Sequence, residues 1–126
     1  MKVFLLDDEA YIRPRSEIID ILAPNHELTV ATSFYHARDI YKPPYDLLLL
    51  DHDMRGLYGE DPRFHNTGWQ FVVWMREMLK PAHVILHSHY EKGRYAMGVV
   101  LEDHKIPFEH CPFSPSYLKL LKERYS

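Results

Sequence analysis

Four consecutive leucines, Leu47–Leu50, run straight into an aspartate, Asp51. Side chains along a strand alternate between two faces, so a strand can be apolar at every position only where both faces are covered. Central strands of parallel sheets meet that condition, because crossover helices lie on each side of them. The run therefore predicts a central parallel strand and, with it, a wound α/β architecture.

The rest of the chain agrees with that constraint. Apolar runs at 2–6, 27–31, 46–50, 83–87 and 107–111 read as five strands, and segments of helical period lie between them. A first helix is predicted over 12–22, entered through Arg13-Pro14, and a shorter second over 33–41. Thr67 caps a third, with Phe71, Met75 and Met78 on one stripe before Pro81 stops it. Ser114 and Pro115 open the last helix, with Leu118 and Leu121 inward. The expected fold is a flavodoxin-like, three-layer α/β domain with a five-stranded parallel sheet in the order 2-1-3-4-5 and helices on both faces.

Length and charge narrow the class. At 126 residues the chain has room for one domain, taken as 1–126. Fifteen Lys plus Arg against eighteen Asp plus Glu give a formal charge of -3, which argues against duplex DNA as a partner. A single cysteine, Cys111, builds neither a disulfide framework nor a cysteine zinc site. Asp7, Asp8 and Glu9 interrupt the apolar start, and no run approaches the ~20 residues of a membrane span, so the expectation is a cytoplasmic protein with no membrane partner. The polar and aromatic stretch 55–66, with Gly56, Gly59 and Pro62, exceeds the usual connection of about 2–6 residues and is a candidate lid. Trp69, Trp74, Tyr58 and Phe64 flank it; such rings stack on a base or fill a core, and the helical position of the two tryptophans favours core. The tyrosines, Tyr41, Tyr45 and Tyr117 among them, read as partly buried residues of the surface edge.

Chemistry concentrates at one edge. Asp7-Asp8, Asp51-His52-Asp53, His87-Ser88-His89 and Cys111-Pro112 each fall just after the carboxyl end of a predicted strand, where open α/β sheets bind their ligands. In the expected order the first and third strands are neighbours, so Asp7 or Asp8 would lie beside Asp51. Converging carboxylates repel one another, and a hard divalent cation neutralises them; Asp7, Asp8, Asp51 and Asp53 are the candidate ligands, for magnesium or manganese. No predicted helix carries a histidine pair four residues apart, so zinc is not indicated.

The same residues carry a resemblance. Phe4-Leu5-Leu6-Asp7-Asp8-Glu9, Asp46 through Asp51 followed by Met54 and Gly56, Val84-Ile85-Leu86-His87-Ser88 and Cys111-Pro112-Phe113 resemble the receiver domains of two-component response regulators over nearly the whole chain. The resemblance implies that Asp51 matches the phospho-acceptor, Asp7 and Asp8 the magnesium-binding pair, and Ser88 the switch hydroxyl. It also places Cys111 where receivers have a lysine, and implies a cis Cys111-Pro112 bond. A thiol cannot supply the lysine's cation; Arg13, Lys92, Arg55 and Arg94 are the replacements offered by neighbouring loops, with Arg13 and Lys92 taken as phosphate-binding candidates.

Within that group, Leu50-Asp51-His52-Asp53-Met54, the stretch from Asp7 to Arg13-Pro14, Thr67-Gly68, and His87-Ser88 with Gly93 and Met97 resemble the cyclic-phosphate processing receiver domain, although Tyr90 and Glu91 stand where that family has an Asn-Pro pair. The resemblance implies a metal-dependent phosphoesterase acting on cyclic phosphates, for which a 2',3'-cyclic RNA end or a phosphate-containing small molecule is the expected partner. His52 and His87 are then the acid–base pair, with Asp51 and Ser88 beside them at the catalytic centre. Strand alternation puts Asp51 and Asp53 on one face and His52 on the other, and opposes His87 to Ser88. Two other readings stand beside the enzyme. One is an atypical receiver phosphorylated on Asp51 and acting on a protein partner in trans; the other is a module that binds a phosphorylated ligand without turnover.

Overall fold

The four leucines form a strand that is almost completely buried and hydrogen-bonded to a parallel neighbour on each side. The computed structural model describes residues 1–54, 61 and 66–126. Its elements are β1 (Lys2–Leu6), α1 (Glu17–Leu22), β2 (Glu27–Ala31), α2 (Phe34–Ile40), β3 (Leu47–Leu50), α3 (Gly68–Met75), β4 (His83–Leu86), α4 (Glu91–Asp103), β5 (Phe108–His110) and α5 (Pro115–Tyr125). The sheet is parallel, as the alternating pattern predicts, and its order β2-β1-β3-β4-β5 is the expected flavodoxin-like one. Most of the candidate lid, with Tyr58, Phe64 and Arg55, lies outside the described residues.

Strand alternation divides the core in two. Val3, Leu5, Leu47, Leu49 and Ile85 pack under α1 and α5, against Ile18, Leu22, Tyr117 and Leu121. Phe4, Leu6, Leu48, Leu50, Val84 and Leu86 pack under α2, α3 and α4, against Phe34, Phe71, Met75, Met97 and Leu101. Leu5, Leu49 and Ile85 are register partners across three adjacent strands, so whatever follows them at the same spacing is brought to one place. Trp74 packs against Phe34, Tyr41 and Phe71, and Trp69 also borders this core, so both rings are structural.

Several elements depart from the expectations for identifiable reasons. The first helix begins at Glu17, five residues late, because the Asp7 carboxylate accepts the Glu9 amide and starts a run of turns. Pro14 then lacks an amide proton and biases Arg13 away from helical backbone. The third helix is capped by the Thr67 hydroxyl but ends at Met75, leaving Met78 in the turn beyond it, still against the core. In α5 the fully buried residues are Tyr117 and Leu121, with Leu118 only half-buried. Tyr41, Tyr45 and Tyr117 are core residues rather than edge residues, because Phe4 and Phe71 build an aromatic cluster around the first two and His87 packs on the third. Among the described residues the cis bonds are Arg13-Pro14 and Pro43-Pro44, and Cys111-Pro112 is not one of them.

The thirteen-residue α4 lacks an evident sequence signal, since Gly93 and Gly98 occupy inward positions where a helix ordinarily shows large apolar residues. Both glycines make room: a β-carbon on Gly93 would lie 2.5 Å from the His52 ring, and one on Gly98 would lie 3.0 Å from Phe108. Gly68 is tighter still, because its β-carbon would fall 2.0 Å from the Asp51 carbonyl oxygen, a backbone atom at the edge that carries the acids. Gly68→Ala should therefore lose about 3 kcal/mol, roughly 10 °C in Tm. Gly98→Ala, where the neighbour is a movable ring and alanine favours the helix, should lose less than about 1 kcal/mol. Equal melting temperatures for the two variants would contradict this packing account.

Candidate functional site

The ladder does not stop with the strands. The Asp7 amide donates to Ala31, the Asp51 amide to Leu6, the His87 amide to Leu50 and the Cys111 amide to Leu86, at 2.9–3.0 Å. Each bond fixes the residue that follows a strand on the last carbonyl of its neighbour. Asp7, Asp51 and His87 stand two residues beyond Leu5, Leu49 and Ile85, so the alternation that buries those three sends the later ones to the same face. One ligand-capable atom from each of the three lies within 4.8 Å of the others. All three are buried.

What joins them is a residue that the sequence analysis did not single out. Arg15 Nη1 donates to Asp7 Oδ2 at 2.8 Å and to Asp51 Oδ2 at 2.9 Å. Its guanidinium lies over the Phe113 ring at 5.1 Å, and its Nε faces Glu9 at 3.7 Å. Asp7 Oδ2 also accepts from His87 Nε2 at 2.8 Å, and the remaining ring nitrogen, Nδ1, lies 3.3 Å from the Tyr117 hydroxyl, which donates to it. A continuous chain thus runs Tyr117–His87–Asp7–Arg15–Asp51. The remaining carboxylate oxygens are held by their own loops: Asp7 Oδ1 by the Glu9 amide and Asp51 Oδ1 by the His52 amide. A proline two residues after a predicted helix entry, followed by an arginine aimed back at the sheet edge, is the available signal for Arg15; it is weak because nothing in the spacing distinguishes Arg15 from Arg13.

The two acids diverge in strength. Burial weakens Asp7, yet the hydrogen bond and charge of His87, with the charge of Arg15, outweigh it and hold the carboxyl at about 2. Burial, reinforced by the negative charge of Asp7, pushes Asp51 up to about 7 in spite of His87 and Arg15. For Arg15, burial opposes the charge, and Asp51 and Asp7 override it, so the guanidinium stays protonated. Burial, foremost, also raises the Tyr117 phenol and the Cys111 thiol, which keeps both groups neutral.

The other expected site residues are placed apart from this chain. His52 is fully buried on the opposite face, its ring against Gly93 and 5.6 Å from the Tyr90 ring. Its Nδ1 donates to Asp53 Oδ1 at 2.9 Å, and its Nε2 has no hydrogen-bond partner among the described residues. Asp53 therefore serves His52, and His52 and His87 are turned to different helices, as alternation requires. Ser88 is buried and accepts the Tyr90 amide, which leaves its hydroxyl proton to donate. Asp8 is half-buried and stands outside the three-residue group. Arg13 is exposed, pairs with Glu17 and lines a groove between α1 and α5, while Lys92 is exposed in the first turn of α4. Arg94 approaches His110.

A five-stranded parallel sheet in this order, with acids at the carboxyl ends of β1 and β3, defines a receiver domain of response-regulator type. Residues 1–103 match the model of the Cyclic-phosphate processing Receiver domain, and the chain belongs to that family. Its fold is similar to a CheY-like response regulator receiver domain protein from Methanospirillum hungatei JF-1 (TM-score 0.61, 16% identity, 98% of this chain and 91% of that one). It is also similar to response regulator TrrA from Thermotoga maritima, solved in complex with Mg(2+)-BeF (TM-score 0.62, 19% identity, 97% and 94%). The receiver domain of NtrX from Brucella abortus is a third such structure (TM-score 0.54, 22% identity, 97% and 95%). No curated protein matches the sequence. Among the described residues no helix is long and apolar enough to cross a membrane.

The raised pKa of Asp51 has a stability consequence. Its folded value of about 7 exceeds the ordinary 3.8, so between those pH values the folded chain holds a proton that the unfolded chain has released. Stability contributed by this group is present below about pH 4 and is lost as pH rises to about 7. Asp51→Asn, which keeps one oxygen as an acceptor, should flatten that slope and gain about 2 kcal/mol at about pH 8 in urea unfolding. A variant less stable than the native chain at that pH would contradict the assignment.

Proposed function

We propose that this receiver domain processes cyclic phosphates with a divalent cation, magnesium or manganese, held by Asp7 and Asp51, with Asp8 as the next carboxylate on the same loop. The observation that carries the reading is the convergence of Asp7 and Asp51 on one face, in a chain of the cyclic-phosphate processing family. The donor set suits such a cation: hard carboxylate oxygens, of which magnesium typically takes one or two together with substrate oxygens. Bound there, the cation would polarise a phosphoryl oxygen and lower the pKa of a coordinated water.

The chain's own residues have separable tasks in this reading. His87 is a positioning residue: fully buried, with both ring nitrogens engaged, it fixes Asp7 and transmits the Tyr117 hydroxyl to it. Ser88 donates its hydroxyl proton to a phosphoryl oxygen. His52, fully buried on the opposite face and bonded to Asp53, is kept from the crevice, and Lys92, exposed in the first turn of α4, is a candidate to meet phosphate. The substrate class is a five-membered cyclic phosphodiester, as at a 2',3'-cyclic RNA end, where ring opening exchanges a diester for a monoester.

A second reading, favoured by the receiver fold, is phosphorylation of Asp51 itself with a protein partner in trans. Phosphorus NMR of a 2',3'-cyclic nucleotide with the protein and magnesium separates the two: the first predicts a monoester signal, lost with chelator and in Asp51→Asn. An unchanged cyclic phosphate, together with a mass gain from a small phosphodonor that Asp51→Asn does not show, would replace the first reading by the second.

Cation binding also carries a pH signature. A cation on Asp51 expels the proton held there with a pKa of about 7, so affinity must rise with pH up to that value and level off above it. One such proton predicts about tenfold tighter magnesium binding at about pH 8 than at about pH 6 by titration calorimetry. Equal affinities would contradict a site that includes Asp51.

A further inference from the structure

We propose that Arg15 is an exchangeable counter-ion of this crevice: its guanidinium neutralises Asp7 and Asp51 in the cation-free protein, leaves them when a divalent cation binds, and then takes the phosphoryl oxygens of the substrate. This rests on the metal-dependent reading and adds to it, beside Lys92, a cation that already sits on the two acids.

The first ground is which atoms are taken. Each carboxylate has one oxygen tied to its own loop, through the Glu9 and His52 amides, and one turned to the crevice. Arg15 Nη1 holds both crevice oxygens at once. A magnesium ion sits about 2.1 Å from each ligand oxygen, closer than the guanidinium, and two cations within that distance of shared oxygens repel strongly. Guanidinium and metal are therefore alternatives on the same pair of oxygens.

The second ground is that Arg15 is built to move a short way. Its side chain is 13% exposed, against none for Asp7 and 6% for Asp51, so it forms the solvent side of the cluster. A single terminal nitrogen makes both carboxylate bonds, while the face of the guanidinium lies over Phe113 and Nε faces Glu9. Released from the acids, the group keeps these two supports and stays at the mouth of the crevice. Its backbone lies in the run of turns before α1, with its carbonyl accepting the Ile18 amide at 3.0 Å, and a rotation of the side chain leaves that bond in place.

The third ground is chemical. Among the described residues, Arg15 is the cation that reaches the acids, since Arg13 pairs with Glu17 at the surface and Arg94 approaches His110. Cys111, on the loop that carries Phe113, brings a thiol held neutral by burial. A planar guanidinium with paired donors matches two phosphoryl oxygens, which a water-filled gap would not.

The test compares the native chain with Arg15→Gln and Arg15→Lys by calorimetric titration, first with magnesium alone and then with inorganic phosphate at saturating magnesium. Arg15→Gln is expected to bind magnesium about tenfold or more tightly, because charge-assisted bonds no longer have to be broken. It is expected to bind phosphate at least about tenfold more weakly, with part of that loss restored in Arg15→Lys. Magnesium affinity equal to or weaker than native in Arg15→Gln overturns the exchange and leaves the metal-dependent reading standing. Absence of magnesium binding in all three proteins overturns both. Should Arg15→Gln fail to fold, the native protein still decides: the Arg15 Nε–Hε NMR signal must shift on saturation with magnesium, and an unmoved signal overturns the proposal.

Discussion

Two carboxylates cannot both stay ionised when buried side by side unless a positive charge stands between them, and this requirement organises the functional edge of the domain. Asp7 and Asp51 are removed from water by the sheet that carries them, so their mutual repulsion is weakly screened. Arg15 relieves it, and the relief is unequal: Asp7, supported by His87 as well, remains ionised, whereas Asp51 holds its proton to near neutrality. The same imbalance that burdens the fold gives the site a proton to lose and a charge to exchange.

The geometry that imposes this burden is the parallel register. Leu5, Leu49 and Ile85 face α1 and α5, and the next residues on that face, Asp7, Asp51 and His87, inherit the direction while the ladder carries on beneath them. The other face inherits His52, which reaches α4 at Gly93. Hydrophobic alternation that serves the core along the strands thus becomes, two residues later, a sorting of ionisable groups. Phe113 and Tyr117 complete the arrangement from the far side of β5, one beneath Arg15 and one behind His87.

Much of this was legible in the sequence. The leucine run demanded a doubly covered strand, and within the flavodoxin-like order, which the receiver resemblance also implies, the meeting of Asp7 with Asp51 followed. Alternation also separates His52 from the face of Asp51. Three things were not legible. The helix α4 hid behind Gly93 and Gly98, whose role is the space they leave for side chains distant in sequence. The tyrosines looked like edge residues because a hydroxyl does not reveal whether a buried partner awaits it, as His87 awaits Tyr117. Arg15 was invisible because its value depends on a turn whose course is set by the Asp7 side chain, an interaction that pattern and spacing do not encode.

On the proposed exchange, a guanidinium and a divalent cation occupy the same two carboxylates in turn. A crystal structure of the protein grown with manganese, phased to show the anomalous signal of the metal, tests it most directly. The expected result is an anomalous peak beside the crevice oxygens of Asp7 and Asp51, with the Arg15 guanidinium withdrawn from both and still resting on Phe113. Manganese seated elsewhere, or bound at those oxygens with Arg15 Nη1 unmoved, would contradict it.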